Sequence, residues 1–139
     1  MLAAAGAIIA SQKIVQMFWL AVLVLATSCA RPLDRKRLHA AVRDLRAVAA
    51  ETHLLRREAA RGASDLAYVD EQRAFLAEGG RKAHAELERG VEDPALEPAR
   101  RRASEIAGHL LPLVDLERDP HAFEDAIGEL SRIEARVVP

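Results

Sequence analysis

The sequence predicts an all-α fold, an antiparallel bundle of three to four helices that follows an N-terminal apolar segment. Beyond residue 33, apolar residues recur every three or four positions in separate stretches, as they do on the buried face of an amphipathic helix. Asp, Pro and Gly separate these stretches, at places where helices begin and end. No stretch of useful length alternates apolar and polar residues as a half-buried strand does. None of the predicted helices is apolar enough to be stable alone, so we expect them to pack on each other as a bundle.

The first helix is expected over residues 34–61. Asp34 is a suitable N-cap, because its carboxylate can accept from the free N–H groups of the first turn. Leu33 and Leu38 flank this cap at the spacing of a hydrophobic staple. Gly62 suits the left-handed position at which many helices end. The residues expected to face inward are Leu38, Val42, Leu45, Ala49, Thr52, Leu55 and Ala59.

The second helix is expected over residues 64–89, with Ser64 as its cap and Gly90 as its stop. Gly79 and Gly80 lie inside it, and two interior glycines cost about 2 kcal/mol relative to alanine. The apolar spacing continues across them, which predicts a kink or a close helix crossing rather than a chain reversal. The inward residues are expected to be Leu66, Val69, Leu76, Ala83 and Leu87.

Two Asp-Pro pairs predict the starts of the remaining helices. Asp93-Pro94 places a cap before a proline at the first helical position, and the main third helix is expected over residues 98–116. Pro112 is expected to kink this helix or to end it early. Asp119-Pro120 repeats the signal for a last helix that reaches residue 136. The inward residues are expected to be Ala99, Ala103, Ile106, Leu110 and Leu113 on the third helix, and Phe123, Ile127, Leu130, Ile133 and Val137 on the last.

The N-terminal segment has the three parts of a secretory signal. Lys13 precedes an apolar run at residues 14–26, and the small residues Thr27-Ser28 lead directly to Cys29, the single cysteine of the chain. The segment resembles the signal of bacterial lipoproteins. That resemblance implies that the Cys29 thiol carries a diacylglycerol and that residues 1–28 are removed. Residues 29–33 would then be a tether and residues 34–139 the bundle.

The position after the cysteine bears on localisation. In lipoproteins of this kind an Asp there often retains the protein at the inner membrane, and this chain has Ala30 instead. The resemblance therefore implies an outer-membrane anchor with the bundle in the periplasm.

Two other interpretations of the segment remain open. Residues 14–30 could be a retained membrane span, since they match the lower limit of roughly 17–25 residues needed to cross a bilayer. A simple secretory signal could instead be cut after Ala30. Four basic residues follow the run, which would place the bundle of a retained inner-membrane span in the cytoplasm. Under the lipoprotein interpretation they are candidate contacts for anionic head groups, at about 1 kcal/mol each. They are Arg31, Arg35, Lys36 and Arg37.

The charge distribution predicts how two helices pack. Residues 31–61 hold nine basic and four acidic side chains, whereas residues 104–139 hold three basic and eight acidic ones. We therefore expect the basic first helix to lie beside the acidic last helix, joined by a few ion pairs. There is no strongly basic face of the kind that binds nucleic acid. With one cysteine, no intrachain disulfide can form.

No pattern of catalytic or metal-binding residues stands out. None of the five histidines has a glutamate three positions before it, as di-iron bundles require. His109 borders the apolar stripe of the third helix, which is ordinary at the edge of a core. No serine lies in a Gly-x-Ser-x-Gly setting. The run Arg100-Arg101-Arg102 is expected to be solvated beside Glu97 and Glu105. We expect no catalytic residue, metal or cofactor.

These observations together predict a non-enzymatic, membrane-anchored helical lipoprotein. It would serve as an accessory or scaffold in the bacterial envelope and bind another envelope protein through its helix faces, with no nucleic-acid partner. One alternative is a single-span small subunit of a larger membrane complex. Another is a periplasmic bundle that binds a small ligand or a metal.

Overall fold

Four α-helices dominate the part of the chain that the structure describes, which is residues 31–62, 64–115 and 120–139 of a computed structural model. The predicted all-α bundle is confirmed, and these residues contain no strand. The predicted signal segment and Cys29 lie outside the described residues. The helices are α1 (Arg35–Ala60), α2 (Leu66–Leu87), α3 (Glu97–Asp115) and α4 (Pro120–Arg136), and a 3₁₀ turn at Pro94–Leu96 leads into α3.

The helices are antiparallel neighbours within a compact unit, Pro32–Pro139. Helix α1 packs against α2 and α4, and α3 packs against the same two helices. On α1, His39 and Arg46 contact Glu134, while His53 lies opposite Glu124. Residue numbers thus rise along α1 as they fall along α4, which makes the pair antiparallel. The predicted contact between the basic first helix and the acidic last helix is confirmed.

The start of α1 is fixed by both its cap and the residue before it. The backbone N–H of Arg37 donates to Asp34 Oδ1 at 2.8 Å, which confirms the predicted cap. Leu33 is fully buried. Its N–H donates to the Gly90 carbonyl at 2.7 Å and its carbonyl accepts from Glu92 at 2.9 Å. The chain is therefore held to the α2–α3 connection one residue before the cap.

The apolar stripes meet in two clusters of buried residues. The larger one joins all four helices and includes Phe123, the largest of the fully buried side chains. The smaller one comprises Leu55, Val69, Leu76, Ala77 and Val114, where α1 ends and α2 begins. Nearly all of the predicted inward residues are buried or half-buried. Thr52 is the buried polar residue among them, and its hydroxyl donates to the Val48 carbonyl at 2.7 Å.

The predicted cap of the second helix is wrong by one residue. The cap is Asp65, whose carboxylate accepts from the Ala67 N–H at 3.0 Å, and not Ser64. Helix α2 therefore begins at Leu66, which was expected to face inward but is 79% exposed. Leu66 lies about 60° around the helix from Val69, because successive residues are about 100° apart. Ala77 is rotated from Val69 by about 80° in the same sense and is buried, so Leu66 is exposed because it is the first residue of α2, at the end of the bundle.

Proline at position 112 does not end α3, which continues to Asp115. Of the two outcomes expected at Pro112, a kink or an early end, the early end does not occur. Pro112 has no N–H to donate to the carbonyl of Gly108, one turn earlier. Both residues are exposed, so water can reach that carbonyl and satisfy it. The helix itself begins at Glu97, directly after the 3₁₀ turn that Asp93 caps through the Ala95 N–H at 2.9 Å.

The glycine pair of α2 marks a close helix crossing, as predicted. Helix α2 runs through both glycines without interruption. A Cβ added at Gly79 would lie 3.3 Å from Val48 Cγ2 on α1, and one added at Gly80 would lie 2.7 Å from Leu111 Cδ2 on α3. The missing side chains therefore let α2 approach both of its neighbours.

Candidate functional site

Three of the predicted head-group contacts, Arg35, Lys36 and Arg37, lie at one end of the bundle. We call it the proximal end; it consists of the first turns of α1 and α3 and the last turns of α2 and α4. Arg35, Lys36 and Arg37 form the first turn of α1 and are exposed, as is Arg31. Cationic side chains at a helix N-terminus oppose the helix dipole, so this placement does not stabilise α1.

The three adjacent cations of α1 do not form one patch. Arg37 lines a groove between α1 and α2, together with Lys82 and Arg89. Arg35 points to the other side of α1, where its Nη2 lies 3.8 Å from Asp93 Oδ2. It also lines a cavity among α1, α3 and α4. The structure thus divides the predicted head-group contacts between two surfaces of the proximal end.

That cavity, which we call the cationic groove, brings together arginines far apart in the sequence. Its volume is about 370 Å³, and Arg35, Arg102, Arg132 and Arg136 line it with a single carboxylate, Glu129. The apolar part of its lining includes Leu96, Pro98, Ile133 and Val137. A lining with four cations, one anion and an apolar floor suits a ligand that combines a negative group with an apolar part.

One of these arginines is held in place by carboxylates. Arg102 Nε and Nη2 donate to the two oxygens of Glu129 at 2.6 and 2.9 Å, and Nη1 donates to Glu105 at 3.0 Å. The hydrogen bond from Arg102 is the main reason that the pKa of Glu129 is lowered. The same bonds raise the pKa of Arg102. This bidentate pair joins α3 to α4 and fixes one wall of the cationic groove.

Arg132 and Arg136 are the cations without such a carboxylate. They stand one turn apart on α4, and both are exposed. Neither forms an ion pair with a carboxylate of residues 31–62, 64–115 or 120–139; Arg132 Nε donates to the Gly128 carbonyl at 3.3 Å. Arg132 is nevertheless near enough to Glu129 to help lower the pKa of that group, after the larger effect of Arg102. Two like charges one helical turn apart repel each other.

A second polar cluster closes the junction of α2 and α3. Arg100, whose side chain is 15% exposed, donates to Glu97 at 2.7 and 2.9 Å and also to the carbonyl of Leu87, at the end of α2. These contacts lower the pKa of Glu97, chiefly through the Arg100 hydrogen bond. The Ser104 hydroxyl donates to Glu88, whose pKa is lowered mainly by that bond. Each group here has a structural partner, so the cluster joins helices and offers no reactive group.

Four of the five histidines lie beside carboxylates, each in a separate contact. His84 Nε2 lies 3.3 Å from Glu88, and His121 Nδ1 lies 3.6 Å from Glu124. His109 is exposed beside α4. Across the described ranges, no three His, Cys, Asp or Glu residues are placed to hold one metal ion.

The opposite end of the bundle, which we call the distal end, exposes large apolar side chains. Leu54 and Tyr68 line a shallow groove of about 150 Å³ between α1 and α2, and they are 55% and 50% exposed. Phe75, 69% exposed, lies two turns beyond Tyr68 on the same side of α2. We call these three residues the distal apolar surface. Glu51 and Glu58 line the same groove, and neither forms an ion pair with a described residue.

The sequence did not single out Arg132 or Arg136, or the contact of Arg102 with Glu129. The one-turn spacing of Arg132 and Arg136 was visible, but their meeting with Arg35 depends on how α1 and α4 pack. Glu97 and Glu105 do lie beside the arginine run, but the Arg100 side chain is only 15% exposed, so the expected solvation of the run is wrong at Arg100. What remained hidden was the reach of Arg100 and Arg102 to other helices.

Comparison with known proteins gives no relative from which a function could be transferred. No family model, no curated protein and no solved structure matches this chain. Among the helices that the structure describes, none combines the length and the apolar composition that a membrane crossing needs.

Proposed function

We propose that this protein is a non-enzymatic, lipid-anchored adaptor of the bacterial envelope. Its anchor is a diacylglycerol on Cys29, its proximal end lies against anionic head groups, and its distal end binds another envelope protein. The lipoprotein-like segment before Cys29 supports the anchor, and the two unlike ends of the bundle support the division of roles.

The observation that carries this proposal is the fixed position of Leu33. Because Leu33 is fully buried and its backbone is hydrogen-bonded to Gly90 and Glu92, Cys29 stands only four positions before a fixed point. Four extended residues span at most about 14 Å. An acylated Cys29 would therefore keep the proximal end close to the membrane, with the arginines of that end within reach of lipid phosphates.

The same geometry separates the distal apolar surface from the membrane. Helix α1 has 26 residues and is about 39 Å long at a rise of about 1.5 Å per residue. Leu54 and Tyr68 lie about 29 Å, and Phe75 about 18 Å, from the proximal ends of their helices. We therefore propose a protein as their apolar partner. Glu51 and Glu58 border the groove without ion pairs among the described residues. This charge pattern favours an amphipathic helix with an apolar ridge flanked by Lys or Arg.

The test is affinity capture from native membranes with matched variants. We expect one envelope protein to be captured by the natural chain and lost with the pair Tyr68→Ser and Phe75→Ser, while the circular dichroism spectrum is unchanged. Val138→Ser is the control, because Val138 is also exposed, at 56%, but lies just beyond the end of α4 at the proximal end. Cys29→Ser should release the protein from the membrane fraction. An unchanged capture profile with the double variant would contradict the assignment of the distal surface.

A further inference from the structure

We propose that the cationic groove is a binding site for a phosphate group, with Arg132 and Arg136 as its principal donors. The lipid form of this ligand rests on the proposed function, since it needs the proximal end at a membrane. The shared chemistry is a phosphate monoester or diester, which either an anionic phospholipid head group or a free phosphate compound can supply.

Charge is unbalanced inside the cationic groove. Four guanidinium groups surround a cavity of about 370 Å³ that contains only Glu129 as an anion. Glu129 is already occupied by the two hydrogen bonds from Arg102. The positive charge of Arg132 and Arg136 is therefore not balanced by any described carboxylate within ion-pair distance.

The fold also holds these cations together at an electrostatic cost. Arg132 and Arg136 repel each other across one turn of α4. Arg35 stands in the first turn of α1, where the helix dipole disfavours a cation. Asp93, 3.8 Å from Arg35, and the dipole of α4 at Arg136 offset part of this cost, but the repulsion between Arg132 and Arg136 remains. A bound dianion or diester would relieve the repulsion, because guanidinium groups donate in a planar fork that matches phosphate oxygens.

The apolar floor of the groove indicates what the rest of the ligand is. The floor of the groove is apolar, with Leu96, Ile133 and Val137 at its base and Pro98 exposed at its edge. A simple anion would not use these surfaces, whereas the glycerol and first methylenes of a phospholipid would cover them. This difference favours the lipid as the source of the phosphate.

The experiment titrates the full chain, in non-ionic detergent, with short-chain phosphatidylglycerol, short-chain phosphatidylcholine and inorganic phosphate. Native mass spectrometry counts the bound lipid, and the Arg Nε–Hε signals in NMR spectra report the phosphate. We expect the pair Arg132→Gln and Arg136→Gln to weaken phosphatidylglycerol binding by roughly tenfold or more, because each basic group near an anionic lipid surface contributes about fivefold in affinity. Phosphatidylcholine should bind weakly to every variant.

Two control pairs remove the same charge from other places. Arg57→Gln with Arg61→Gln alters two exposed arginines one turn apart at the distal end. Lys82→Gln with Arg89→Gln alters two cations of the separate groove between α1 and α2, which do not line the cationic groove. Neither pair should change phosphatidylglycerol binding by more than about twofold, within the range of weak surface electrostatics.

Each outcome of the titration either supports or overturns the phosphate site. Saturable phosphate signals at Arg132 without any lipid preference would support the site and make a free phosphate compound its ligand. Equal losses with the groove pair and the Lys82 and Arg89 pair would overturn the proposal, because binding would then follow net charge rather than the cationic groove. Absence of saturable binding to all three ligands would also overturn it. The titration does not depend on Cys29, so a failure of the lipid anchor is detected separately, by the mass of the mature chain.

Discussion

Replacement of Gly80 by alanine tests the close packing of α2 against its neighbours. An alanine inside a helix is about 1 kcal/mol more favourable than a glycine. At Gly80, however, the added Cβ would lie 2.7 Å from Leu111 Cδ2, so the end of the leucine must move. Overpacking of this kind typically costs about 1–3 kcal/mol. We therefore expect Gly80→Ala to lower the free energy of unfolding by about 1 kcal/mol.

A second substitution separates the two contributions. In a Leu111→Ala background the crowding atom is gone, and Gly80→Ala should then raise the free energy of unfolding by about 1 kcal/mol, through helix propensity alone. The coupling energy of the double-mutant cycle should be about 2 kcal/mol. Gly128→Ala on α4 is the matched control, because a Cβ there meets no atom within 4 Å. It should stabilise the protein by about 1 kcal/mol in either background.

The assay is equilibrium unfolding in urea, followed by circular dichroism and extrapolated linearly to water. The same stabilisation by Gly80→Ala in both backgrounds would refute the reasoning. It would mean that α2 and α3 are farther apart at this point than the structure has them.

Three further predictions concern the core and the ion pairs. The pKa of Glu129 is lowered mainly by its hydrogen bond from Arg102. The ionised Glu129 therefore stabilises the fold above the ordinary glutamate pKa of about 4.3, and this stabilisation is lost as the pH falls through the lowered pKa. The melting temperature should therefore fall below about pH 4, and Glu129→Gln should make that fall shallower. Phe123→Ala should lower the free energy of unfolding in urea by about 3–5 kcal/mol, since Phe123 is fully buried. A loss below about 1 kcal/mol would contradict its burial in the core. Thr52→Val should change the free energy of unfolding by less than about 1 kcal/mol, because the hydroxyl bonds a carbonyl of its own helix.

Local signals in the sequence were sufficient to predict the helices. Asp34 and Asp93 cap their segments through neighbouring N–H groups, and Gly62 ends α1 with φ at +65°. These features depend on a few adjacent residues, so they can be read without the fold. The error at Ser64 and Asp65 arose because two good capping residues are adjacent, and capping preference does not rank them.

Features that depend on contacts between helices could not be predicted in the same way. The imbalance of charge along the chain did indicate that α1 lies beside α4, because opposite charges on two long stripes attract. It did not give the rotation of either helix about its axis. That rotation decides that Arg35, Arg132 and Arg136 share one cavity, whereas Arg37 faces α2. The choice between a kink and an early end at Pro112 stayed open for a similar reason, since solvent exposure of Gly108 is a property of the packed bundle.

The central claim is that Cys29 is the anchor of this bundle, and the mass of the intact protein extracted from native membranes tests it most directly. The account predicts a mature chain that begins at Cys29 and carries a diacylglycerol on the thiol. A chain that still begins at Met1 with an unmodified Cys29, or one that begins at Arg31, would contradict it.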